Sequence, residues 1–277
     1  MLVSLMARQL FRRIALWCGL TIAALPACSP SVCGQASVIP LLQEVEVNRG
    51  GTTRFQLHVS NRGSDSLSFA MHAYDLAVSV DGIPTAVAAP GDRSCLEWIA
   101  FTPETFVLAP DSTLIVEGLF RVPPEAEGSY SAFIAAEFRL MLPAIAFGDK
   151  GESQGQIEMA QGVSSILLAT VRSSRNRAEL KPDSIEVLSG REQSSGVSPS
   201  LSGRGDTRAW QVSCTMENTG NVHTKATGEV SIWTEDARLI ERAALSAGLG
   251  YVLAGKKRLF TAQGARSLSD GIYMVKV

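Results

Sequence analysis

A chain of 277 residues with 25 Lys and Arg against 27 Asp and Glu has a formal net charge of −2. No basic stripe with interleaved aromatics runs through it, so nucleic acid is excluded as the partner it points to. The length exceeds the usual single sandwich, and low aromatic content (6%) with 24 Gly and short alternating runs fits two all-β domains behind a leader.

The leader is expected over residues 1–36. Arg8, Arg12 and Arg13 form a positive n-region ahead of the apolar run from Ile14 to Ala27, which is too short to span a bilayer and is followed by small residues. Cleavage after Ala36 suits Gly34-Gln35-Ala36 and leaves Ser37 as the new amino terminus. The alternative is Leu25-Pro26-Ala27-Cys28, a lipobox-like run in which Cys28 is lipidated, and only then is the membrane a partner. Either route places the protein outside the cytoplasm, in a periplasm or at the cell surface.

The first domain is expected over residues 38–172, as an immunoglobulin-like β-sandwich. Val38 to Asn48 reads as one extended strand, closed by the turn Asn48-Arg49-Gly50-Gly51. In the next strand Phe55, Leu57 and Val59 alternate inward, with Gln56, His58 and Ser60 outward, and Asn61-Arg62-Gly63 turns the chain. Ser66 to Val80 puts Phe69, Met71 and Ala73 on one side, and Ile83 to Arg93, with Pro84, Pro90 and Gly91, is an edge strand or loop. Leu114, Val116, Gly118, Phe120 and Val122 share a face opposed by Thr113, Glu117 and Arg121, and Pro123-Pro124 ends that strand. Gly128-Ser129-Tyr130 then has the shape of a tyrosine corner, whose hydroxyl bonds backbone across the turn. Alternation continues to Leu140, Met141 to Gln161 is a protruding excursion, and Gly162 to Val171 is the last strand.

Residues 173–179 read as a polar linker, and the second sandwich as 180–277. It opens with a strand from Leu180 to Leu188, followed by a Ser- and Gly-rich loop to Arg208. The Arg204-Gly205-Asp206 tripeptide in that loop is a solvated charge pair around a turn glycine. Trp210, Val212, Cys214 and Met216 then alternate against Gln211, Ser213, Thr215 and Glu217. Three short runs echo the first half in order: Met216 to Gly220 answers Val59 to Gly63, Tyr251 to Gly255 answers Phe106 to Pro110, and Asp270 to Tyr273 answers Glu127 to Tyr130. After Tyr273 the sequence runs only to Val277, so a strand is expected to be missing beside Ile272, Tyr273, Met274, Val275, Lys276 and Val277. These six residues are the candidate edge at which a partner adds a strand; a domain closed by its own first strand is the other explanation.

Cys18, Cys28 and Cys33 fall in the leader, which leaves Cys95 and Cys214, one per domain. Neither domain can hold an internal disulfide; Ala132 stands where one would place a cysteine, and Cys214 reads as a small core residue. His58 and His72, outward on strands taken as adjacent, form a conceivable surface metal pair without further ligands, and His223 lines the turn after Asn218. No nucleophile elbow, dinucleotide loop or paired-carboxylate site is present, so no catalytic, cofactor or metal residue is assigned.

Val45 to Val47, Gly51, Phe55 to Asn61, Trp98, Phe106-Val107-Leu108-Ala109-Pro110 and Val122-Pro123 together resemble the amino-terminal domain of periplasmic pilus chaperones of the PapD-like type. The Asn-x-Gly turns and Gly-x-Tyr strands also resemble the extracytoplasmic two-sandwich proteins associated with WxL surface proteins. The resemblance covers residues 38–277. It implies a non-enzymatic envelope protein with a polypeptide partner, chaperone-like or an assembly factor for pilus-type surface structures. Pilus chaperones carry an arginine and a lysine that anchor a subunit's terminal carboxylate; the position matching the arginine is Gln43 or Glu44 here, so that anchor is not expected. The alternative is a surface-anchored adhesion or scaffold module that binds cell-wall glycan or host protein.

Overall fold

The computed structural model describes residues 36–89, 91, 93–143, 156–189, 210–266, 268 and 271–277. These contain strands and one short 3-10 turn, Leu96–Trp98. The leader, Cys28, the Arg204-Gly205-Asp206 run and nearly all of the Ser- and Gly-rich loop lie outside the described residues.

The first sandwich uses ten strands: β1 (Ala36–Ile39), β2 (Leu42–Asn48), β3 (Thr52–Asn61), β4 (Leu67–Val78), β5 (Pro84–Val87), β6 (Ile99–Thr102), β7 (Thr105–Leu108), β8 (Thr113–Arg121), β9 (Gly128–Pro143) and β10 (Gln156–Arg172). One sheet runs β1-β3-β8-β6; the other runs β2-β10-β9-β4-β5, with β7 also on β4. The single strand expected from Val38 to Asn48 is two. Pro40 has no backbone N–H to donate, the ladder stops there, and the chain crosses between sheets. β1 then pairs antiparallel with β3, and β2 parallel with β10. β1 also takes in Ala36, a residue of the expected leader.

Alternation places the core as read. Phe55, Leu57, Val59, Val116, Phe120, Phe69, Met71, Ile134 and Phe138 are buried together between the two sheets. Gly118 is required by this packing, because a Cβ there would fall inside the Phe55 ring. Trp98 bridges the layers, its ring edge-on to Tyr130 at 4.5 Å and to Phe120 at 5.8 Å. Ser60, expected outward, is buried, and its hydroxyl is 2.8 Å from that of Thr113. The excursion expected from Met141 to Gln161 is in large part a longer hairpin, since β9 runs to Pro143 and β10 starts at Gln156.

The second sandwich comprises β11 (Leu180–Ser189), β12 (Trp210–Asn218), β13 (Thr224–Lys225), β14 (Gly228–Thr234), β15 (Leu239–Leu245), β16 (Tyr251–Val252), β17 (Lys257–Gln263) and β18 (Tyr273–Lys276). Its sheets are β11-β12-β17 and β15-β14-β18, with a small β13-β16 ladder. Trp210, Val212, Cys214, Val230, Ile232, Phe260 and Ala262 form its own core. Trp210 is buried whole, and its indole N–H donates to Glu241 Oε2 at 3.0 Å. Cys95 and Cys214 are both free and buried, one in each core.

Candidate functional site

Both sandwiches tie off a strand with a buried asparagine. Asn61 Nδ2 donates to the carbonyls of Asp65 (2.7 Å), Leu108 (3.1 Å) and Ala109 (3.2 Å), while Oδ1 accepts from Gly63 N at 2.9 Å. Asn218 Nδ2 donates to Val222 O (2.8 Å) and Val252 O (3.0 Å), and Oδ1 accepts from Gly220 N at 2.9 Å. The bonds correct one register of the sequence echo: Leu108 corresponds to Val252, one residue off the alignment. Asp111 (φ 53°) therefore matches Gly255 (φ 69°), the turn position that needs a left-handed backbone.

Tyr130 is held differently from a tyrosine corner. Its ring packs on Trp98 and lies under the Arg93 guanidinium, 5.0 Å from the ring centre. Arg93 Nη2 in turn donates to Glu127 O (2.8 Å) and Ser129 O (3.0 Å), so ring and cation, rather than a hydroxyl-to-backbone bond, fix the entry to β9. Burial pushes the Tyr130 phenol up, and Arg93 opposes that.

The histidines do not form the surface pair considered from the sequence. β3 and β4 follow one another in the chain but lie in different sheets, so His58 and His72 are not neighbours. His72 instead faces Glu137 at 3.9 Å. Among the described residues no group of three or more His, Cys, Asp or Glu could hold a metal ion. His223 lies between the sandwiches rather than lining its own turn. Its backbone N–H donates to Ser129 Oγ at 2.7 Å, and Nε2 is 3.6 Å from Glu44 Oε2. Burial holds its pKa below the usual histidine value, against the Glu44 carboxylate, which raises it. Glu44 also accepts from the Tyr251 hydroxyl, so the position that carries an arginine in pilus chaperones here presents a carboxylate to the second sandwich.

The segment from 173 to 179 is pinned. Arg175 Nη1 donates to Glu127 Oε1 at 2.8 Å, Arg49 also meets that carboxylate, and Asn221 Oδ1 accepts from Arg177 N at 2.7 Å. A further strap is the β4–β5 turn: Leu259 N of β17 donates to Val80 O at 2.8 Å, and the Arg258 guanidinium covers Gly82.

Two sheet edges remain open among the described residues. β10 pairs β9 from Gln156 to Val171 but pairs β2 only from Ile166 to Arg172, which leaves the outer backbone of Gln156 to Ser165 without a partner. β18 is the other, and its residues are the edge named from the sequence. Tyr273, Met274, Val275 and Lys276 pair with Thr234, Trp233, Ile232 and Ser231 of β14 on one side only. Ile272 and Val277 flank the strand and are exposed. Lys276 Nζ lies 4.9 Å above the Trp233 ring, on the outer face. The β10 edge was missed because Met141 to Gln161 was read as a loop; Met159, Gln161, Val163 and Ser165 already carried the period of the strand inward to Leu167.

No family model matches the chain, and neither does any curated protein. Solved structures similar to it include the class 5 fimbriae chaperone CfaA, at 9% identity and a TM-score of 0.41, covering 87% of this chain and 97% of that one. The Pseudomonas aeruginosa CupB2 chaperone is similar at 9% identity and a TM-score of 0.38, covering 86% and 97%. The E. coli chaperone DraB is similar at 12% identity and a TM-score of 0.37, covering 87% and 88%. The likeness is one of fold.

Proposed function

We propose that this is an exported, non-enzymatic envelope protein that binds other polypeptides by strand addition, as a chaperone-like or assembly factor for surface structures. The observation that carries this reading is the free outer backbone of β10 from Gln156 to Ser165. A row of unpaired donors and acceptors is a template for a strand from another chain, and β proteins otherwise cover such rows. The reading takes residues 38–172 and 180–277 as two modules joined by 173–179, downstream of a leader over 1–36. β18, with Ile272 and Val277 beside it, offers a second edge of the same kind. The mass of the mature amino terminus distinguishes a soluble factor starting at Ser37 from one anchored through lipidated Cys28.

The test is photo-crosslinking in the native envelope from a benzoylphenylalanine placed at Met159, which is exposed beside the free edge, with the same probe at exposed Glu117 as control. A discrete polypeptide joined through Met159 and not through Glu117 supports the reading. Equal yields at both positions, or none at Met159, overturn it.

A further inference from the structure

The second sandwich is closed along one flank and open along the other. On the closed flank Ser246, just past β15, exchanges two backbone hydrogen bonds with Thr261 of β17, at 2.9 and 2.8 Å. β15 and β17 are thus neighbours, and the opposite edge strands, β11 and β18, share the other flank. Among the described residues neither has a strand on its outer side. Ile185 and Val187 of β11 stand opposite Cys214 and Val212, which places them on the core face. They are nevertheless 51% and 49% exposed. Core-facing branched side chains left half in water mark a core that is not covered there.

The first sandwich has the same position filled. Ala36 and Val38, on the core face of β1, are only 8% and 4% exposed, because β10 runs alongside them. β10 pairs with β9 and sends Leu167, Ala169 and Val171 into that core. β18 stands where β9 does: each lies beside an earlier strand of its sheet, β14 or β4, and each follows a Gly-x-Tyr run. Nothing among the described residues stands in the place of β10.

We propose that the flank between β11 and the outer edge of β18 is an acceptor groove for one extended segment of another polypeptide, with apolar side chains at alternate positions. Each wall dictates part of that chemistry. The unpaired backbone of β18 calls for a strand, and Ile185 and Val187 call for an apolar residue at every second position. Leu167, Ala169 and Val171 give the sizes that fit the equivalent space. This deepens the polypeptide-binding reading and rests on it, but it uses a different edge from that of β10.

The probe is a peptide of the Gly162 to Val171 sequence with two lysines added at each end, mixed with the full chain. Backbone hydrogen exchange over Tyr273 to Lys276 is read by mass spectrometry. At saturating peptide the exchange slows, and Val187→Glu weakens the apparent affinity by about tenfold or more, from loss of the apolar contact and burial of a charge. That position is half exposed, so the melting temperature of the unliganded variant stays close to that of the parent, which separates lost binding from lost folding. A control peptide with Asp in place of Leu167, Ala169 and Val171 produces no slowing. Equal slowing by both peptides, or by neither, overturns the proposal. Protection of β18 that rises with protein concentration in the absence of peptide also overturns it, because a second copy then fills the groove. Crosslinking through Met159 without peptide protection at β18 removes the groove while sparing the wider reading.

Discussion

Replacing Asn218 by alanine tests how the second sandwich closes its strand ends. The side chain is fully buried and makes three hydrogen bonds, donating to Val222 O and Val252 O and accepting from Gly220 N. At about 1 kcal/mol net for each bond, the direct loss is about 3 kcal/mol, and the Val252 carbonyl is left buried without this donor. A destabilisation of about 3 kcal/mol changes the folded-to-unfolded ratio roughly a hundredfold. Asn218→Asp keeps the acceptor for Gly220 but turns a carboxylate towards two carbonyls, so it costs more than alanine does. The assay is urea unfolding followed by tryptophan fluorescence in a Trp98→Phe background, where Trp210 and Trp233 report on the second sandwich. A loss under about 1 kcal/mol for alanine, or an aspartate variant as stable as the alanine one, would refute the reasoning.

Three further outcomes follow from the packing and the buried groups. Gly118→Ala forces the Phe55 ring out of its place and costs about 2 kcal/mol in thermal or urea melts; adding Phe55→Leu recovers part of that, and an unaffected melt contradicts the close approach. Burial, with Asp75 adding to it, pushes the Cys95 thiol up to about 12, so iodoacetamide at pH 8 leaves the native protein unmodified and labels it after denaturation; rapid native labelling of Cys95 contradicts its burial. His223 titrates lower in the folded protein than its unfolded value of about 6.5, so its neutral form contributes stability that is complete above that pH and is lost as the pH falls towards the folded value. A His223→Gln variant therefore loses less stability than the parent on going from neutral to mildly acidic pH, and equal losses in urea midpoints would count against the buried histidine.

Period-two burial made most of the sheets legible. Phe55, Leu57 and Val59 in β3, Val116, Gly118 and Phe120 in β8, and Trp210, Val212 and Cys214 in β12 face inward as alternation requires. The asparagine turns were legible for a different reason: Asn-x-Gly carries its own local bonds, Gly63 N to Asn61 and Gly220 N to Asn218. What local pattern could not carry was the partner of each strand. Pro40 marks an interruption, but only the pairing of β2 with β10, more than a hundred residues away, shows that the chain changes sheet there. Ser60 looked outward because its burial is set by Thr113 on another strand. The same holds between the sandwiches, where His223, Tyr251 and Glu44 meet over long separations that no periodicity encodes. Of the candidate edge, Tyr273 to Lys276 was legible as a strand, while the half-exposed Ile185 and Val187 across the flank were not, because their exposure follows from the opposite sheet.

The most direct measurement is hydrogen exchange of the full chain, alone and bound to the polypeptide captured through Met159. The account predicts that the amides of Gln156 to Ser165 facing away from β9 exchange fast in the free protein and slow markedly in the complex, as new interstrand bonds form. A complex in which those amides exchange at the free rate, with protection confined to loops or to the outer faces of the sheets, would contradict it.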